Sequence, residues 1–216
     1  MQHDQNRRPL FIVFDGLDGT GKSTQLRLLA ERLRGEGQKV YTTAEPTAFE
    51  EGRRLRRALA GELHTTNSTI AAMFLLDRVR HNVDPDDGIG RHLADGDTVL
   101  CDRYYYSSMA YQGQGEIFEW VADMNLNCPD IRRPDGCIFF DMEPEECMKR
   151  ICAGRAECEL EIYETVEQQQ RIRAQYRRAL AHLEGRDRIY VIDAAGTIEE
   201  VAAKVWEAYQ DILANT

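Results

Sequence analysis

The chain has 216 residues, of which 43% are hydrophobic and 30% charged, a size and balance that fit one folded domain with a sizeable core. A formal net charge of -10 and a pI of about 5.1 argue against a protein that tracks duplex DNA or an anionic membrane, since both need a basic face. A small anionic ligand is still within reach, because a few local cations and backbone N–H groups suffice for it.

The N-terminal residues 1–8 are polar and lack the apolar stretch of a secretory leader. No apolar run is long enough to span a bilayer. Residues 10–14 (LFIVF) form an apolar run that predicts a buried strand. Gly16-Leu17-Asp18-Gly19-Thr20-Gly21-Lys22-Ser23 follows it and matches G-x-x-x-x-G-K-[ST]. A helix is predicted from Ser23 to about residue 33, stopped by Gly35 and Gly37. Strand, glycine loop and helix in that order are what a phosphate cradle requires. Glycines let backbone N–H groups turn inward around phosphates, and the helix start points its positive end at the same anion. In such a loop Lys22 reaches the β- and γ-phosphates of a nucleotide, and the Ser23 hydroxyl ligates Mg²⁺. The competing reading is a glycine-rich turn that binds nothing.

Residues 39–43 (KVYTT) predict a second strand, and residues 51–63 and 68–83 predict helices. Residues 98–101 (TVLC) predict a third strand, which ends at Asp102. A carboxylate at a strand's C-terminal end lies beside the ligand crevice of a doubly wound sheet and can hold Mg²⁺ or its waters. Residues 129–134 read as a loop, and residues 137–140 (CIFF) and 188–192 (RIYVI) predict a fourth and a fifth strand, each preceded by a helical stretch. In the last helix Ile198, Val201, Ala202, Val205, Tyr209, Ile212 and Leu213 share one stripe. Alternating helices and strands predict an α/β protein with a parallel sheet covered on both faces. The sequence shows no repeat, low-complexity tract or linker, so residues 1–216 are expected to form a single domain. Six cysteines without a CxxC pair or zinc spacing predict reduced thiols and a cytoplasmic location.

Residues 14–24 (FDGLDGTGKST) resemble the opening of the thymidylate kinase family. Asp102-Arg103-Tyr104, then Ser107, Ala110, Tyr111, Gln112 and Gly113, resemble its D-R-Y-x-x-S-x-x-A-Y-Q-G segment. Pro134-Asp135 with Phe140-Asp141 and Pro144-Glu145, and later Ile192-Asp193-Ala194, resemble two further segments. The resemblance implies a P-loop NTPase-type five-stranded parallel sheet with a short lid at about residues 150–163. It also implies transfer of a phosphoryl group from ATP, with Mg²⁺, to thymidine monophosphate (dTMP).

The same resemblance implies residue roles. The loop residues Gly16, Asp18, Gly19, Thr20, Gly21, Lys22, Ser23 and Thr24 would hold ATP, with Ser23 and Asp102 at the metal. Phe74 would stack on thymine and Arg78 would bond its carbonyl edge; they lie four apart on a predicted helix. Read without the family, Phe74 is plain core and Arg78 a surface charge. Ser108, Tyr111 and Gln112 would close around base and sugar, and Asp18 would accept from the 3′-hydroxyl. Arg103 would grip the acceptor phosphate, and Glu45, Pro46 and Tyr163 would also belong to the acceptor site. Gly19 stands where some members carry an arginine, so the chain resembles the type whose lid supplies it. Arg155 is the first candidate for that arginine and Arg150 the second. Many bacterial members read T-R-E-P where this chain has Thr43-Ala44-Glu45-Pro46, so one arginine is missing. Residues 70–76 are apolar nearly all round, and the family pairs through this helix, which implies a homodimer. The alternatives are a kinase of the same fold acting on dUMP or another nucleoside monophosphate, and a non-catalytic nucleotide-binding protein. A GTP-dependent switch is disfavoured, since no N-K-x-D segment occurs.

Overall fold

Residues 8–153 and 165–216 are described by the structure, a computed structural model. The apolar run after Pro9 becomes β1 (Phe11–Gly16), every residue of which is buried. It lies at the centre of one five-stranded sheet in the order β2-β3-β1-β4-β5, and all pairings are parallel. The other strands are β2 (Val40–Ala44), β3 (Thr98–Asp102), β4 (Gly136–Asp141) and β5 (Ile189–Asp193). β1, β3 and β4 are continuous apolar runs because helices cover the sheet. Each fully buried large side chain, such as Phe11 or Ile12, contributes about 1.5–3 kcal/mol.

The helices are α1 (Lys22–Gly35), α2 (Glu50–Leu59), α3 (Asn67–Val83), α4 (Ile89–Ala94), α5 (Tyr105–Tyr111), α6 (Phe118–Leu126), α7 (Pro144–Ala153), α8 (Val166–His182) and α9 (Ile198–Ala214). α1 and α9 pack together against the sheet, while α5 packs on β1, α6 and α8. Threonines start three of the long helices: Thr66, Thr165 and Thr197 each accept from a backbone N–H of the first turn, and Thr197 completes a capping box with Glu200. Among the described residues no helix is long and apolar enough to cross a membrane.

Two expectations need correction. The second helix ends at Leu59 and not at residue 63, because Gly61 adopts φ 77 and turns the chain out of the helix. The cysteines are not all reduced: Cys101, Cys128, Cys137 and Cys147 are free, whereas Cys152, in the last turn of α7, is disulfide-bonded. A pair outside the CxxC pattern leaves no mark in the sequence.

Candidate active site

From β1 the chain crosses to β2 on one side of the sheet, and from the adjacent β4 to β5 on the other, so the crevice beyond the C-terminal ends of β1 and β4 is a topological switch point. The glycine loop sits there. Gly16 has φ 138, and a Cβ on it would meet the Phe140 carbonyl oxygen at 2.4 Å, so only glycine lets β1 run so close to β4. Gly19 has φ 82, and a Cβ there would lie 2.5 Å from the Cys147 carbonyl oxygen of α7. A larger residue at this position is excluded by that contact. The Thr20 hydroxyl and Lys22 Nζ both donate to the Leu17 carbonyl, at 2.8 and 2.7 Å, which folds the loop over the start of α1. Burial and the neighbouring Arg103 lower the pKa of Lys22. The loop, Arg150 and Ile151 of α7, and Gly196, Thr197, Ile198 and Val201 enclose a cavity of about 610 Å³. Arg150 donates to the Ala194 and Gly196 carbonyls at 3.3 and 3.4 Å, which ties α7 to the segment after β5.

At the end of β3, the Ser23 hydroxyl donates to Asp102 Oδ2 at 2.5 Å. Among the described residues Asp102 Oδ1, which is buried, finds no hydrogen-bond partner. A buried carboxylate oxygen left open is costly unless a further group binds there.

The next residue, Arg103, has φ 71, a left-handed conformation that a non-glycine residue adopts with strain. Its backbone N–H is tied to the Phe14 carbonyl at 2.8 Å, and its guanidinium reaches Ser107 Oγ at 2.9 Å and Asp18 Oδ1. Asp18 also accepts from the Tyr111 hydroxyl at 2.9 Å and lies 3.9 Å from Lys22. Burial works to raise the Asp18 pKa, but Arg103 and Lys22 outweigh it and hold the carboxyl at about 2. That value lies below the ordinary 3.8, so the contact stabilises the fold above pH ~4 and is lost as pH falls toward ~2. With 38% of the Asp18 side chain open to solvent the contribution is small. Thermal unfolding followed from pH 5 to pH 2 should therefore show a shallower acid slope for Asp18→Asn than for the parent chain; equal slopes would remove Asp18 as the cause.

Deeper in the crevice Arg78 is buried, not a surface charge as its sequence context alone suggests. Its Nε and Nη2 donate to Glu45 Oε2 at 2.9 and 2.6 Å, its Nη1 to Asn125 and its Nη2 to Ser108 Oγ at 3.1 Å. His81 Nδ1 lies 3.0 Å from Glu45 Oε1 and its Nε2 lies 2.8 Å from Thr43 Oγ1. Phe74 is half-buried and stands outside the main core cluster, so it is not plain core. Ser108 and Tyr111 belong to α5, Gln112 caps its end, and all three are buried. Glu45 and Pro46, joined by a cis peptide bond, follow β2.

The structure thus links the phosphate loop to Asp102 through Ser23 and to Arg103 and Tyr111 through Asp18, while Arg78, Ser108 and Glu45 form a buried cluster that reaches Asp102 through the Glu45 backbone N–H. Arg155 and Tyr163 lie outside the described residues, as does most of the expected lid; its first residues continue α7 as helix. His81, Asn125 and Tyr176 were missed by sequence reasoning. His81 lies three residues after Arg78 on α3, a spacing that could have flagged it; Asn125 and Tyr176 come from distant elements and left no local signal.

A central parallel strand, a phosphate-binding loop, a helix behind it and an Asp-Arg pair at the end of the neighbouring strand define a P-loop protein of the nucleotide kinase class. A sequence model of thymidylate kinases matches residues 14–205. A thymidylate kinase of Bacillus pumilus is 32% identical over 94% of this chain and 96% of its own. One of Leptospira borgpetersenii is 35% identical over 80% and 82%. The chain belongs to the thymidylate kinase family.

Proposed function

We propose that the chain transfers the γ-phosphoryl group of ATP to dTMP, giving ADP and dTDP. The observation that carries this reading is the shared carboxylate of Asp18. Lys22 on the loop side and Arg103 on the crevice side both face it, so donor and acceptor cations meet at one point.

Phosphoryl transfer depends on positioning and charge neutralisation rather than on a covalent intermediate. ATP lies in the cavity between the loop and the β5–α9 connection, with its phosphates on the backbone N–H groups of Gly19, Thr20, Gly21, Lys22, Ser23 and Thr24. Lys22 holds the β- and γ-phosphates. An oxygen of the acceptor phosphate, gripped by Arg103, attacks the γ-phosphorus while the bond to the ADP oxygen breaks. Mg²⁺ fits the Ser23 hydroxyl and the open oxygen of Asp102, a ligand set of the small kind this ion takes beside phosphates and waters. When bound, it neutralises charge on the β- and γ-phosphates.

The thymine ring lies against Phe74, and Arg78 donates to its carbonyl edge from the Glu45 cluster. Ser108, Tyr111 and Gln112 line the base and sugar, Glu45-Pro46 shapes the wall, and Tyr163 completes the acceptor side. Tyr111 and Asp18 flank the deoxyribose. Arg150, which lines the cavity, and Arg155 are the two arginines for the transferring group. The contact of Gly19 with α7 supports a supply from beyond the loop, since it leaves no space for an arginine within it.

The whole chain works as one domain on small nucleotides in the cytoplasm. A coupled assay of ADP release, offering dTMP, dUMP, dCMP, dGMP and UMP side by side, tests the reading. Turnover greatest with dTMP supports it, and turnover greatest with another monophosphate overturns the thymine assignment.

α3 supports a homodimer. Leu76 is 59% and Val83 51% exposed on it, an apolar surface that a second copy would cover. Light scattering should give about twice the 24.8 kDa chain mass, and Leu76→Glu should return the monomer; a monomeric parent chain at micromolar concentration would sink the idea.

A further inference from the structure

Tyr176 lies on α8, far in sequence from the glycine loop and from Arg103, and is completely buried. Its hydroxyl donates to Asp15 Oδ1 at 2.7 Å and lies 2.9 Å from Ser107 Oγ. Ser107 Oγ itself donates to Asp15 Oδ1 at 2.7 Å and accepts from Arg103 Nη1 at 2.9 Å. Asp15 also gathers the backbone N–H groups of Gly16, Tyr104 and Ser107 at 2.9, 3.1 and 3.2 Å. The carboxylate therefore joins the end of β1 to the start of α5, and Tyr176 ties α8 to both.

We propose that Tyr176 is a positioning residue, whose hydroxyl acts through Asp15 and Ser107 to fix the guanidinium of Arg103. The inference rests on the reading of Arg103 as the grip on the acceptor phosphate. A serine hydroxyl has a single proton. With that proton held toward Asp15, the lone pairs of Ser107 face Arg103. Tyr176, donating into the same oxygen cluster, holds this arrangement from the opposite side. Burial pushes the Tyr176 pKa well up, so the hydroxyl stays a donor. Arg103 needs such support, because its backbone is strained and its guanidinium is held by Ser107 and Asp18.

The ring of Tyr176 packs at 5.0 Å from Phe139 and edge-on at 6.0 Å from Tyr111. Tyr176→Phe keeps that packing and deletes the hydroxyl alone. Steady-state kinetics should show kcat/KM for the acceptor falling roughly fivefold, the worth of one buried hydrogen bond, with the KM for ATP unchanged. The calorimetric Kd for dTMP should weaken in step. Adding Ser107→Ala should cost no more than the worse single variant, because both act along one path. Unchanged kinetics below the melting temperature, or equal losses toward ATP and acceptor, would overturn the proposal and leave Tyr176 a packing residue. Should the parent chain prefer another monophosphate, the dTMP reading fails and the same comparison is made with that acceptor. A parent chain that binds no monophosphate would overturn both.

Discussion

Lys22→Ala should lower ADP formation by roughly a thousandfold, about 4 kcal/mol of transition-state stabilisation. Its ammonium is tied to the glycine loop at Leu17 and is nearly out of contact with water: Lys22 is 6% exposed. In such a setting a positive charge that meets the proposed phosphates acts more strongly than it would in bulk water. The fold should survive. Among the described residues its side chain donates to the Leu17 carbonyl and makes a loose 3.9 Å contact with Asp18, which together are worth about 1 kcal/mol. Activity and thermal midpoint measured on the same preparation separate the two effects. Retention of a tenth of the parent activity would remove Lys22 from the chemistry.

Glu45→Ala has the largest expected effect on stability. Glu45 and Arg78 each have 1% side-chain exposure. Glu45 receives two bonds from Arg78 and contacts His81. Its removal leaves a buried guanidinium facing a cavity, and breaking a buried pair in this way costs about 3–5 kcal/mol. The urea midpoint should fall with little change in slope. A fall worth less than ~1 kcal/mol would mean that Asn125 and Ser108 alone satisfy Arg78. Freed from Glu45, Arg78 should also discriminate less well between a 4-oxo and a 4-amino pyrimidine, so the dTMP to dCMP ratio of kcat/KM should drop.

The strands and the phosphate loop were legible in the sequence because both are local. A buried parallel strand must be apolar throughout, and the loop needs its glycines at fixed offsets. Five strands and their parallel arrangement follow from that pattern, though the order β2-β3-β1-β4-β5 does not. The end of α2 was misplaced because Ala60 and Glu62 suit a helix, and the left-handed turn at Gly61 decides otherwise. Arg78 was readable as a candidate only through family resemblance. Its burial depends on Glu45, Ser108 and Asn125, which reach it from other elements. Tyr176 is harder still: on α8 it is one more residue of a helix, and its importance comes from Asp15, across the fold.

The left-handed backbone at Arg103 sets stability against activity at one residue. Glycine or asparagine adopts that conformation with less strain, so a search for heat-resistant variants would keep one only where that relief outweighs the lost bonds to Ser107 and Asp18. Each such gain would remove the cation proposed to hold the acceptor. Improving the durability of this chain therefore has to begin elsewhere, and position 103 is one to leave untouched.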